Sequence, residues 1–509
     1  MSSEETTSLA ERLIPPAELK PAAVAGLATL PSFKSKMREC ERVLGTRYSE
    51  VDHSVQEALV LRRLRQLVNI VMLNPAWRER LQGAGLTGAP ATFQEWQDIP
   101  LADKEAQREL FMGSRPGLVM PLSAGGFEIV ASGGTSGGQP LESVYSLREL
   151  HDTYEVAGDF LGTYLLRQYL GGVEPSWLFT TLADYQMWSS GTMVGGVLQH
   201  VPDVNYIGAG PVTAAVLRQM FSYPGPKAMM GITASIALMT ELGAGLSQEA
   251  RDSFRVALYG SGILSHCKRT ELHEMYPQLV ILSYFAATQA ETIGLQLWPS
   301  SPYLAAVPGL HLIEIVDENG RWVADGEEGE LVVTRLHGHE APLLRLKLGD
   351  RMIRRPRIDG PGLKTGQFEF AGRSGDILHL GDTQYSATRA YAALHEGLKA
   401  ANVLDLELVA HDVQFRNDRE ERLLTLLAAV DDVHGLGTWM SRTLGPHDME
   451  RIFSESLGRA LSVFNDGEAN SAYMEKTGYR FELRLVDRFS AEIERTAVGK
   501  VPLVRDVAR

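Results

Sequence analysis

Cysteine is nearly absent: Cys40 and Cys267 are the two in 509 residues. With so few, neither a disulfide framework nor a cysteine zinc site is expected, and a reducing, cytoplasmic compartment is the expectation. Long apolar runs are missing as well. No stretch approaches the roughly 18 apolar residues of a membrane-spanning helix. Met1 to Glu18 carries acids and prolines where a signal peptide has a basic start and an apolar centre, so neither export by that route nor a membrane partner is expected. Positive charge is short too, with 49 Lys and Arg against 63 Asp and Glu and a net charge of -14. Such a surface repels a phosphate backbone, so nucleic acid is not an expected partner. The densest basic run, Arg62-Arg63-Leu64-Arg65, falls at helical spacing among apolar residues and reads as a solvated helix face. His200, His337 and His339 sit at no recognisable metal-ligand spacing, and core or surface roles are expected for them.

What is present is ordinary globular material, 44% apolar and 22% charged, in a chain long enough for two to four folding units. Residues 1 to about 30, rich in Ala, Pro, Ser and Glu, read as a loosely held leader. From Met37 to about Arg115 the apolar spacing is helical. Between Phe127 and Gly338, short strand-like runs (127–130, 176–180, 227–230, 256–259 and 279–282) alternate with helical stretches, which predicts an α/β body with a mainly parallel sheet. The runs His311 to Asp317 and Glu330 to Thr334 flank turn-rich segments and predict antiparallel hairpin strands. A last segment, 375–509, has the size of a small α+β domain, with helices over 388–398 and 449–463 and strands over 404–409, 423–430 and 481–486.

The first chemistry-bearing segment is Ser132-Gly133-Gly134-Thr135-Ser136-Gly137-Gly138, which follows directly on the strand-like 127–130. Backbone free of side chains lets N-H groups converge on phosphate oxygens, and hydroxyls add donors. No Gly-Lys-Ser/Thr follows, so it is not a Walker loop, and it is not the dinucleotide fingerprint. Four more segments come after it in order: 326–334, Arg345-Leu346-Lys347-Leu348-Gly349-Asp350, Gly372-Arg373-Ser374-Gly375-Asp376, and Thr496-Ala497-Val498-Gly499-Lys500. The series resembles the adenylate-forming superfamily of acyl-CoA synthetases, adenylation domains and luciferases, and most of all its phenylacetate-CoA ligase branch.

The resemblance implies a large N-terminal α/β adenylating domain over 1–374 with a β-rich subdomain, and a small mobile C-terminal α+β domain over 375–509, hinged near Gly375 and Asp376. It implies ATP and Mg²⁺ as cofactors, a small, aromatic carboxylic acid as substrate, and CoA as acceptor. Ser132, Gly133, Gly134, Thr135, Ser136 and Gly137 would hold the β and γ phosphates, with Thr135 acting in catalysis. Asp350 would accept from the ribose hydroxyls, and Arg373 would fix the ribose or phosphate end. Lys500 would bridge the α-phosphate and carboxylate oxygens in the transition state.

The family's aromatic-Gly-x-Thr-Glu motif is best met by Phe285-Ala286-Ala287-Thr288-Gln289, where Gln replaces the magnesium-binding acid. Either Glu291 takes that place or the phosphates and water carry more of the coordination, and Tyr284 is an alternative to Phe285 as the adenine-stacking ring. The region around Tyr185 to Met193 would contribute to the acyl pocket. Two further readings stay open: the same adenylation with an amine or carrier-protein thiol as acceptor, and a non-catalytic nucleotide-binding scaffold.

Overall fold

The computed structural model describes residues 1–132, 140–380, 383–445, 447–460, 478–496 and 500–507. The chain forms two compact units. The first comprises 1–232, 245–260 and 278–370; the second comprises 233–244, 261–277 and 371–509.

The first unit is built on a sheet of eleven strands among the described residues. Its order runs from His311–Val316 through Glu328–Arg335, Leu346–Gly360, Leu363–Arg373, Leu304–Ala306, Glu291–Gln296, Val280–Ala287, Phe254–Gly260, Lys227–Ile232 and Trp177–Thr180 to Asn205–Gly208. The last five strands pair in parallel, as alternating strand and helix segments require. From Val280–Ala287 towards the other edge the described pairings are antiparallel, and the expected hairpin pairs Leu312 with Thr334 and Ile315 with Leu331. Strand Phe127–Ser132 stands outside this sheet, in an antiparallel ribbon with Leu141–Ser146.

The N-terminal residues are not a loose leader. Ser3–Leu13 is a helix whose Ser2 Oγ accepts from Glu5 N while the Glu5 carboxylate accepts from Ser2 N, a complete capping box. Leu9, Leu13 and Ile14 are buried in the same core as Leu59, Leu64 and Leu67 from helix His53–Val71. At roughly 2 kcal/mol per buried leucine or isoleucine, these contacts hold in place a segment whose Ala, Pro, Ser and Glu content reads as loose.

Arg62 and Arg63 are likewise buried, not solvated. Arg62 Nε donates to the Ile14 carbonyl at 2.5 Å, and Arg63 Nε donates to the Leu336 carbonyl at 2.6 Å. Main-chain carbonyls at the ends of the leader helix and of a distant strand supply the acceptors that make burial of these guanidinium groups tolerable.

The second unit has its own core, centred on Leu394, Phe415, Leu424, Leu426 and Phe453. Its four-stranded sheet runs Arg480–Asp487, Leu423–Val430, Ala410–Asp418 and Val504–Asp506, with helices Ala387–Ala400, Val433–Thr443 and Asp448–Ala460. The strand expected over 404–409 is instead a helical turn, Leu406–Val409, whose Leu408 and Val409 N-H groups both donate to the Asp405 carbonyl. The strand begins one residue later, at Ala410. No helix among the described residues is long and apolar enough to cross a membrane.

Candidate functional site

Ser132 ends its strand opposite Leu141, in the antiparallel ribbon with Leu141–Ser146. Ser132 Oγ lies 3.5 Å from the Leu141 carbonyl. Gly133, Gly134, Thr135, Ser136 and Gly137 lie outside the described residues. Tyr145 on the returning strand donates from its hydroxyl to the Thr288 carbonyl at 2.7 Å, which ties the hairpin to the aromatic segment. Next to it, Tyr185 to Trp188 forms a tight turn with Gln186 and Met187 at positive φ, and the Met187 carbonyl accepts from Ala131 N at 2.8 Å.

The two aromatic rings take opposite faces of strand Val280–Ala287, as its period of two dictates. Tyr284 is in the core, its hydroxyl donating to the Gly231 carbonyl at 3.3 Å. Its ring fills the space that a Cβ at Gly260 would need, so glycine is required there. Phe285 is half-buried and meets Phe370 with ring centroids 6.0 Å apart. Of the two, Phe285 is the ring that is not sealed in the core.

Gln289 lines a small cavity with Gln107, Ser143 and Arg335. Glu291 is buried at φ +49°, and one of its carboxylate oxygens has no hydrogen-bond partner. Burial pushes its carboxyl up to about 7, against the opposing pull of a hydrogen bond to Thr153 and of Arg335. A magnesium ion needs ionised, hydrated oxygen donors. Of the two, Glu291 offers an unpartnered carboxylate oxygen and Gln289 only a neutral amide oxygen, so Glu291 is the residue of this segment that would hold such an ion.

Beneath the hairpin lies a buried charge cluster that the sequence did not reveal. The Arg335 guanidinium stacks 4.1 Å above the Tyr145 ring and donates to the Val144 and Ala341 carbonyls at 2.9 and 2.6 Å. Its Nε is 3.4 Å from a Glu149 carboxylate oxygen, but neither oxygen of Glu149 is hydrogen-bonded. Burial prevails over the imperfect pairing and pushes Glu149 up to about 8. The local signal was misleading, because Ser146-Leu147-Arg148-Glu149 has the spacing of a capping box while Glu149 turns inward.

A stability dependence on pH follows. Glu149 and Glu291 hold their protons in the folded state above the ordinary carboxyl value of 4.5, so their contribution is complete below 4.5 and is lost as pH rises through about 7 to 8. Burial works in the opposite sense on His311, lowered to about 3, and on His337 and His339, also held below 6.5; their contribution is lost as pH falls below 6.5. Thermal unfolding followed from pH 6.5 to 8.5 is therefore expected to show a falling midpoint. In Glu149→Gln, which cannot ionise, that fall is expected to be shallower; an unchanged slope would contradict the assignment.

Asp350 is buried on strand Leu346–Gly360. Opposite Glu328–Arg335 the register slips, with Glu330 facing Arg351 and Val332 facing Lys347, so residues 348–350 form a bulge. Gly349 takes φ +83° there, a conformation that favours glycine and re-aims the following side chain. The strand is anchored at its start by Arg345, whose guanidinium is 3.0 Å from Glu314 and donates to the Gln97, Ile99 and Gly320 carbonyls. Trp96 and Trp322 donate their indole N-H groups to the same Glu314 carboxylate.

In the second unit, Asp376 N donates to the Arg373 carbonyl at 3.1 Å, closing a turn in which Gly375 is exposed. Burial raises the Asp376 carboxyl, and Arg373 and Lys500 both oppose it. Lys500 therefore lies within electrostatic reach of the segment that carries Arg373. Thr496 N donates to the Lys500 carbonyl at 2.8 Å and Lys500 N donates to Thr496 Oγ1 at 3.1 Å, so the loop is tied at both ends. Residues 497–499 between them lie outside the described part.

No protein-family profile matches the sequence, and no curated protein matches it. Solved structures do. A 2-hydroxyisobutyryl-CoA ligase in the postadenylation state with 2-HIB-AMP superposes with a TM-score of 0.66 at 16% identity, over 90% of this chain and 91% of that one. The same ligase with 2-HIB-AMP and CoA in the thioesterification state gives 0.55 at 16% identity, again over 90% and 91%. The AtGH3.15 acyl acid amido synthetase in complex with 2,4-DB gives 0.62 at 14% identity, over 94% of this chain and 96% of that one. With these shared architectures, the chain has the fold of the adenylate-forming ligases.

Proposed function

We propose that the protein is an AMP-forming acid ligase of the phenylacetate-CoA ligase kind. A carboxylate oxygen of a small, aromatic acid attacks the α-phosphorus of ATP, the bond to the β-phosphate oxygen breaks, and acyl-AMP and pyrophosphate result. Asp350 accepts hydrogen bonds from the ribose, and Ser132 with the loop that follows it receives the β and γ phosphates. Phe285 lies against the adenine, beside Thr288. Lys500 spreads its charge over the oxygens of the α-phosphate and the carboxylate, and Arg373 steadies the nucleotide. The backbone at Gly375 and Asp376, between an adenylating domain over 1–374 and a C-terminal domain over 375–509, then turns to admit the acceptor thiol of CoA. Its sulfur attacks the acyl carbon and AMP leaves.

The observation that supports this reading most is the joint effect of Arg373 and Lys500 on Asp376. In sequence Lys500 is more than a hundred residues from Arg373, and a scaffold has no need to bring the two together. A second acceptor class has its own support, since the amido synthetase shares the larger fraction of both chains. In that version an amine replaces the thiol and an amide is the product.

ATP and pyrophosphate exchange across a panel of aromatic, aliphatic and amino acids tests the reading. Exchange confined to one acid class, followed by product with either CoA or an amine, supports adenylation and selects the acceptor. Nucleotide binding without exchange for any acid would favour the scaffold.

A further inference from the structure

Within the second unit, and apart from every residue assigned above, a thiol, an imidazole and a carboxylate converge. Cys267 and Glu271 are one turn apart on the same face of helix His266–Met275, and His411 reaches them from strand Ala410–Asp418. Cys267 Sγ is 3.8 Å from His411 Nδ1, and that nitrogen is 3.9 Å from Glu271 Oε1. All three ligand atoms lie within 4.8 Å of one another. A tetrahedral zinc ion spaces bound sulfur and nitrogen about 3.5 Å apart, so a small contraction would close the set around a metal.

The imidazole is already oriented for this. His411 is 2% exposed, and its Nε2 is 2.8 Å from Asp431 Oδ2. With Nε2-H donating to that carboxylate, the lone pair is on Nδ1, the nitrogen 3.9 Å from Glu271 Oε1; Cys267 Sγ, 3.8 Å from Nδ1 and 3.9 Å from Nε2, lies beside the ring and would turn towards Nδ1 to complete the set. A carboxylate behind the histidine is the usual outer support of a metal ligand.

Charge is balanced around the cluster. Lys268 pairs with Glu271 Oε2 at 2.8 Å, and Arg488 lies 3.4 Å from Glu271, 3.5 Å from Glu241 and 3.6 Å from Asp431. Three carboxylates against two cations leave one net negative charge, and loss of the Cys267 proton makes it two, the complement of a divalent ion. The salt bridges alone give the thiol no role. A second group, His151, Glu155 and His200, meets the same spacing, but His151 is exposed, whereas His411 is buried.

We propose that Cys267, Glu271 and His411 bind one zinc ion, with Asp431 as the positioning residue for His411 and a fourth coordination position left for water. The ion would pin helix His266–Met275 to strand Ala410–Asp418 and stabilise the second unit. This is independent of the adenylation reading.

The test uses the full-length protein after chelator treatment, titrated with Zn²⁺ by calorimetry and with Co²⁺ by absorption. The expected result is one equivalent bound, a thiolate-to-cobalt charge-transfer band, and a thermal midpoint that rises with zinc. Cys267→Ser is expected to abolish the band and the thermal shift, and His411→Gln to weaken binding at least tenfold. Asp431→Asn is expected to weaken it by about 10–100-fold. His200→Gln is expected to leave all three readouts unchanged. Absence of binding, a cobalt spectrum without the thiolate band, or binding lost in His200→Gln and kept in Cys267→Ser would overturn the proposal. The cobalt spectrum needs no variant, so a misfolded substitution cannot shield the proposal from the result.

Discussion

Lys500→Ala is expected to lower acid-dependent ATP and pyrophosphate exchange by about 10²–10³-fold, with little change in the apparent KM for ATP or acid. A cation that acts on charge developing at the α-phosphate stabilises the transition state more than the bound substrates, so its loss falls on kcat. Lys500 is half-buried, and its loop is held by main-chain and Thr496 hydrogen bonds that alanine retains. The thermal midpoint is therefore expected to stay near that of the parent. Lys500→Arg is not expected to restore the rate, because a planar fork does not replace a compact ammonium on a short loop. A loss confined to KM, with kcat kept, would move Lys500 from the reacting atoms to ground-state binding.

The largest stability effect is expected at Glu314. Its carboxylate and the Arg345 guanidinium are essentially unexposed, at 0% and 1% for their side chains, and are 3.0 Å apart. Glu314→Leu leaves a buried guanidinium without its counter-charge and two indole N-H groups without their acceptor, a change of about 3–5 kcal/mol. Urea unfolding of Glu314→Leu and of the double variant Glu314→Leu/Arg345→Met reads this as a cycle. The double variant is expected to be much less destabilised than the single one, because removing both charges removes the uncompensated one. Arg345 also opens the strand that carries Asp350. A rise in KM for ATP is therefore expected in whatever fraction of the single variant remains folded.

The sequence was most legible where the structure obeys a local period. The strand-like runs from Phe127 to Leu282 and the helical spacing from Met37 onwards became strands and helices near the expected bounds. It failed where distant main-chain atoms decide. Nothing near Arg62 or Arg63 indicates that the Ile14 and Leu336 carbonyls await them. Glu149 and Arg335 are far apart in the chain and meet only once the hairpin lies over the sheet. The run Leu404 to Val409 alternates as a strand does, but Asp405 closes a helical turn over it before the strand begins. The choice between Tyr284 and Phe285 could not be made without knowing which face of the strand meets the core, and Gly260 beneath Tyr284 identifies that face. The Ser-x-x-Glu spacing at Ser2 is a signal for the first helix that a reading from composition does not use.

The central claim is that the carboxylate attacks the α-phosphorus. Once the exchange panel has named an acid, that acid is supplied with ¹⁸O in its carboxyl group, together with ATP and the acceptor, and the products are analysed by mass spectrometry. The account predicts one ¹⁸O atom in AMP for each acyl group transferred, with unlabelled pyrophosphate released. Label in inorganic phosphate alongside ADP would show attack at the γ-phosphorus and contradict it.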